Sequence, residues 1–258
     1  EYHRTGQKYY HYWEPFTQFL WQIIMAMQED QMLFEKEREE VRIAGTKLDR
    51  YGLIALTGGN VSCRMPSGEI LVTPSGMIYE DMVSSDVLVM DIEGKIIEGK
   101  RAASVDTIAL LYIFKNMPHI NAVIHTHQPY ATAVSLVADE LPCIVTTLPN
   151  ATKGPVKVCP FSSAASIDMG IQTVNNAGST LAVILKCHGV IALGTSLKEA
   201  LYSCVYLEEA AKTYVYARSI QNNIACLSPA QWQQAADTFK YYGQDKAPMP
   251  EELRKTIS

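Results

Sequence analysis

Asn121-Ala-Val-Ile-His-Thr-His127 is a short apolar run that ends in two histidines one residue apart. It reads as a buried strand closing at a chemically active end. On an extended strand, residues two apart point the same way, so the imidazoles of His125 and His127 share one side. Two converging imidazoles begin a metal site. Alone, the H-x-H pattern is weak, and its bland alternative is a pair of ordinary strand-end residues. A third histidine, His188, follows the apolar run 181–186 and precedes Gly189, which permits a sharp turn. Three neutral imidazoles suit zinc (Zn2+), with Mn2+, Co2+ or Fe2+ as further candidates, and they leave a coordination position open. Cys187 is a rival ligand. Beside His188 on an extended segment it should point the other way, so packing is expected for it.

Working outward, 53–57 changes texture from helix to turn. Short strands are expected at 61–64 and 69–73 around Pro66-Ser67-Gly68, and others at 87–92, 96–97, 143–147 and 156–159. Helices are expected over 16–27 (Phe16, Phe19, Leu20, Ile23, Ile24 and Met27 on one face), with a second carrying Val41, Ala44, Leu48 and Tyr51. Further helices are expected from Ser104 to about 116, over 130–137 and 165–175, and from Ser196 to about 221. Ser196-Leu-Lys-Glu199 has the form of a capping box, and Ser228-Pro229 opens a final helix. Strands and helices mix without strict alternation. The expected fold class is α/β: a single domain whose central, largely antiparallel sheet is flanked by helices. Residues 1–32 read as an N-terminal extension and 33–258 as the catalytic domain.

The whole chain sets bounds. Its 258 residues are 48% hydrophobic, enough for a sizeable core. A net charge of −5 without a basic face argues against nucleic acid as a partner. No apolar stretch approaches the length of a membrane span. Residues 1–13 lack the charged start and apolar core of a signal peptide, and the six cysteines contain no C-x-x-C pair. The expectation is therefore a cytoplasmic protein with reduced, buried thiols.

Asp106 lies near the start of the Ser104 helix. An acid there either complements the helix dipole or serves the metal site as a base or displaceable ligand, and position leaves both open. Gly58-Gly59-Asn60, Thr73-Pro74-Ser75-Gly76 and Ser104 could each present donors to an anion, although each alone is an ordinary turn or cap.

Four motifs in order, Thr57-Gly-Gly-Asn-Val-Ser62, Leu71-Val-Thr-Pro-Ser-Gly76, Asn121–His127 and Lys186-Cys-His-Gly189, closely resemble those of the class II aldolase/adducin family, over roughly 33–244. That family includes L-fuculose-1-phosphate aldolase and L-ribulose-5-phosphate 4-epimerase. The resemblance implies metal ligation by His125, His127 and His188, an acid/base role for Asp106, and a phosphate cradle at Gly59, Asn60, Ser75, Gly76 and Ser104. A second serine expected after Ser104 is Val105 here. The ending Lys240-Tyr-Tyr-Gly-Gln244 resembles the family's, which places a proton-transferring tyrosine at Tyr242. The positions carrying the aldolase's other tyrosine and the epimerase's aspartate fall on Thr146 and near Asn150, so neither sub-family signature is complete.

The family implies cleavage of a ketose 1-phosphate, fuculose-1-phosphate-like, to dihydroxyacetone phosphate and an aldehyde through an enediolate on the metal. The alternatives are the retro-aldol epimerase, favoured by Asp106, and a decarboxylase, favoured by Val105. It also implies a homotetramer with sites at subunit borders. Adducin shows that the fold can serve as a non-enzymatic interaction module. Retention of the three histidines and Asp106 argues against that here.

Overall fold

The computed structural model describes residues 32–243 and 248–251. The helix expected over 16–27 lies outside them, as do His3, His11 and Gln244. Among the described residues nine strands form one sheet. They are β1 (Asn60–Arg64), β2 (Ile70–Val72), β3 (Leu88–Met90), β4 (Ile96–Glu98), β5 (Ala122–Thr126), β6 (Glu140–Leu141), β7 (Val156–Cys159), β8 (Ala182–Leu185) and β9 (Gly189–Gly194). Their order is β4-β3-β2-β1-β5-β9-β8-β7-β6. Only β7 and β8 run parallel; the other neighbours are antiparallel, as expected.

Seven described helices flank the sheet: α1 (Glu35–Arg50), α2 (Thr107–Asn116), α3 (Pro129–Val137), α4 (Thr147–Thr152), α5 (Ile167–Ala177), α6 (Leu197–Ile220) and α7 (Pro229–Phe239). The strands β5, β8 and β9 are covered on both faces, which is why they read as continuous apolar runs rather than alternating ones. On one face Val123, Val183, Leu185, Ile191 and Leu193 meet Leu110, Ile113 and Phe114 of α2 and Met169 of α5. On the other, α6 lies over β5 and β9 and buries Ala200, Cys204, Leu207 and Ala211.

Local chemistry explains the helix ends. Ser228 accepts from Gln231 N–H while Gln231 reaches back to the Ser228 N–H, a complete capping box. Ser196 accepts from Glu199 N–H, but Glu199 returns its carboxylate to the Thr195 N–H and hydroxyl instead. The C-terminal end of α2 is held by a distant side chain. Arg64 Nη2 donates to the carbonyls of Phe114 (2.9 Å), Met117 (3.3 Å) and Ile120 (2.7 Å).

Several expectations differ from the structure. Residues 143–147 form no strand; the chain pairs earlier, at β6, and then enters α4. Strand propensity acts only where a partner edge is present, and Pro149 fits the first turn of a helix. Helix α2 starts at Thr107, not Ser104: Ala103 bridges Pro74, and the residues after it form a turn closed by Thr107 N–H on Ser104 O at 3.0 Å. Tyr51, expected on the inner face of the second helix, lies past the end of α1 and is exposed. Cys143, Cys159 and Cys204 are buried, but Cys187 and Cys226 are exposed.

Arg64→Ala leaves three inward carbonyls at the end of α2 without their donor. It should cost about 3 kcal/mol of stability, read as a lowered denaturant midpoint at unchanged slope.

Candidate metal centre

Sheet order creates the site. β9 lies between β5 and β8, and the two-stranded turn joining β8 to β9 carries His188. Its N–H donates to Leu185 O at 3.1 Å, closing the turn. The turn must pass directly over the end of β5. At Gly189 a Cβ would stand 2.1 Å from Thr126 O, so only glycine permits that approach. Gly59 makes the matching approach from the other side. Its φ is +73°, and a Cβ there would meet His125 O at 2.5 Å.

The three imidazoles consequently meet. Their ring centroids are 4.9 Å apart for His125 and His127, 4.8 Å for His125 and His188, and 5.2 Å for His127 and His188. One ligand atom from each lies within 4.8 Å of the others. His125 Nε2 and His127 Nε2 are 3.1 Å apart. Two nitrogens about 2.0–2.1 Å from one tetrahedral zinc would be roughly 3.3 Å apart, so this spacing fits a shared ion. The donor set fits as well. His125 Nδ1 lies 2.9 Å from Val190 O, which assigns it the proton and leaves the Nε2 lone pair facing the centre. His188 Nδ1 is buried with no hydrogen-bond partner among the described residues.

Electrostatics favour the neutral, ligating form. Burial, then the charges of His188 and His127, lower His125 from 6.5 to about 3. His127 and His188 are also lowered, mainly by desolvation, against an opposing pull from Asp106.

Asp106 occupies the N-cap position of α2 but makes no capping bond. The carboxylate turns inward instead. Its Oδ2 accepts from Asn60 Nδ2 at 3.1 Å and lies 4.0 Å from His125 Nε2, and its Oδ1 accepts from the Ala165 N–H at 3.2 Å. Asn60 pairs with His125 across β1 and β5, which places both on the face of α2. Its amide also donates to Ser104 Oγ at 3.3 Å, so both protons are used within the protein. The Asn60 Oδ1 is buried without a partner among the described residues. Ser75 N–H donates to Ala102 O, which stitches the Ser75-Gly76 turn beside Ser104. Asn60, Ser104 and Asp106 thus form one hydrogen-bonded cluster beside His125, with Gly59 packed against the His125 carbonyl.

Tyr242 does not join them within one chain. It stacks on Phe239, with centroids 5.2 Å apart, and lines a groove of about 620 Å³ with Thr146, Asn150, Leu227 and Tyr241. None of the three histidines lines that groove. Cys187 is not extended as expected: its φ is +59°, and the thiol is exposed.

Sequence reading missed Ala165 and Val190, whose backbone groups orient Asp106 and His125. Backbone partners leave no mark in residue type. The one local sign is strain: Leu56, Ala165 and Cys187, all beside the site, hold φ near +56° to +59° without being glycine.

A mixed sheet carrying three converging imidazoles and an inward carboxylate defines a candidate mononuclear metal centre. Residues 39–215 match the class II aldolase and adducin N-terminal domain. The chain is 31% identical over 215 residues to a 5-deoxy-D-ribulose 1-phosphate aldolase of Bacillus thuringiensis, covering 83% of this chain and all of that protein. Among solved structures it resembles an L-fuculose 1-phosphate aldolase, with TM-score 0.74 and 27% identity over 79% of this chain and 96% of the other. It also resembles the L-fuculose-1-phosphate aldolase of Thermus thermophilus, with TM-score 0.64 and 28% identity over 72% and 96%. The protein belongs to the class II aldolase and adducin family.

The depressed His125 value sets a pH response of the metal-free protein. Below the free-imidazole value of 6.5 the unfolded chain binds a proton that folded His125 refuses until about 3. Stability is therefore intact above 6.5 and lost as pH falls through that window. Chemical denaturation in excess chelator from pH 7.5 to 5 should show a falling midpoint, and His125→Ala should flatten it.

Proposed function

We propose that the protein is a zinc-dependent aldolase that cleaves a ketose 1-phosphate to dihydroxyacetone phosphate and an aldehyde. The observation that carries this reading is the Asp106 carboxylate 4.0 Å from His125 Nε2, held by Asn60 and Ala165 rather than spent on its own helix. The activities named for the similar aldolases support the substrate class.

His125, His127 and His188 would hold a divalent cation, which would supply Lewis acidity to a ketose substrate. Asp106 accepts the proton of the substrate hydroxyl whose carbon becomes the aldehyde. The Asn60 amide and Ala165 N–H hold its two oxygens, so the base enters the reaction already oriented. Carbon–carbon cleavage then leaves an enediolate, which takes up a proton before release. Ser104, Ser75 and the Gly59 and Gly76 turns form the anion cradle. In it Asn60 orients Asp106 and Ser104, since its donors already point to them.

Tyr242 acts as proton donor or acceptor across a subunit border of a homotetramer. Support comes from its place: an exposed ring grouped with Thr146 and Asn150, away from the histidines of its own chain.

Incubation with a panel of ketose 1- and 5-phosphates tests the reaction. Release of dihydroxyacetone phosphate and an aldehyde is expected. An isomeric pentulose phosphate with no triose release would instead establish the epimerase reading, which an aspartate at position 106 favours. Asp106→Asn should lower kcat by about 10²- to 10⁴-fold at unchanged metal content. Mixing inactive His125→Ala and Tyr242→Phe chains should regain activity through hybrid borders. No regain, with mixed oligomers demonstrated, removes Tyr242 from the neighbour's site.

A further inference from the structure

His125 and His188 are each held by their own strand or turn, but His127 is not. The last pair of the β5–β9 ladder is Thr126 with Val190, so His127 lies one residue beyond the sheet. Its backbone passes close to Gly189 and runs directly into the start of α3. That start is locally weak. Gln128 stands at the N-cap without a capping bond, and Pro129 has no N–H to give. The first donors of the helix, Tyr130 N–H and Ala131 N–H, need acceptors, and no nearby side chain supplies them.

Both go to one residue seventy-eight and seventy-seven positions away. Glu208 Oε1 accepts from Tyr130 N–H at 2.9 Å, and Oε2 accepts from Ala131 N–H at 3.0 Å. Glu208 belongs to a stripe on α6 spaced by four residues. One turn before it, Cys204 O accepts from Gln128 Nε2 at 3.1 Å. One turn after it, the Lys212 ammonium lies 5.7 Å from the Tyr130 ring centre, and beyond that the Tyr216 and Tyr130 hydroxyls meet at 3.0 Å. Four successive turns of α6 therefore grip 128–131. Of the four, Glu208 alone puts a buried carboxylate on two backbone donors.

We propose that Glu208 is a positioning residue of the metal centre, setting His127 against His125 and His188 by anchoring the first turn of α3. The proposal rests on the reading of those histidines as metal ligands. Because the other two are held independently, losing Glu208 loosens one ligand of three. Metal binding should weaken without vanishing.

The test uses Glu208→Gln in the full chain. The amide can accept from one N–H, but its NH2 faces the other donor to donor. Chelator competition with Co2+ and with Zn2+, on protein shown folded by circular dichroism, should give a metal affinity lower by about 10- to 100-fold. The visible Co2+ spectrum should change as well. Tyr216→Phe, at the far end of the same stripe, should bind within about twofold of wild type. Glu208→Asp keeps the charge with a shorter reach and is measured in parallel, should the first variant fail to fold. A folded Glu208→Gln or Glu208→Asp protein with wild-type affinity and spectrum overturns the proposal. So does failure of both to fold, which makes Glu208 a determinant of the fold. A wild-type chain that takes up no stoichiometric metal, whatever Glu208 does, overturns the metal reading itself.

Discussion

The passage of the His188 turn over the end of β5 is the constraint on which the rest depends. Two backbones approach so closely that a single methyl group at Gly189 would collide with Thr126 O. That approach follows from inserting β9 between β5 and β8, and the ladder from Ala122–Gly194 to Thr126–Val190 holds it in register. A slip of one residue would turn His125 to the opposite face, toward α6, and away from Asp106. The same register puts Val190 O within reach of His125 Nδ1 and so selects the nitrogen that faces the centre.

Around this rigid middle the site is finished by segments under local tension. Leu56 precedes the Gly58-Gly59 turn, Ala165 supplies the N–H to Asp106, and Cys187 begins the turn that presents His188. All three are non-glycine residues in the left-handed region, each costing about 1 kcal/mol or more. Ala165 thereby brings its N–H to Asp106, and Cys187 opens the turn that carries His188. The surrounding sheet, buried on both faces, supplies the stability that holds them. The Asn60–Ser104–Asp106 cluster adds order of another kind: one amide spends both its protons fixing a hydroxyl and a carboxylate together.

What could be read from residues alone was whatever is local or periodic. Apolar runs marked β5, β8 and β9 because full burial leaves no alternation. Ser228-Pro229 marked the start of α7 because its capping groups lie within four residues. The H-x-H spacing placed two imidazoles on one side because strand geometry has period two. The reading failed where the deciding partner is distant. Residues 143–147 have strand composition but pair with no strand, and Cys187 adopts a left-handed backbone (φ +59°) inside a turn that Gly189 signals only in general terms.

Residue type and short spacing by themselves marked the apolar strands, the helix caps and the His125–His127 pair, while four ordered motifs carried the resemblance to the family and, through it, the expected roles of His188 and Asp106. Only the tertiary structure decided that Asp106 faces the histidines rather than its own helix and that Tyr242 keeps company with Thr146 and Asn150. It alone also decided that the start of α3 is held by a carboxylate on α6. Those outcomes depend on which strand lies beside which, and so on contacts between segments tens of residues apart. No local preference encodes them.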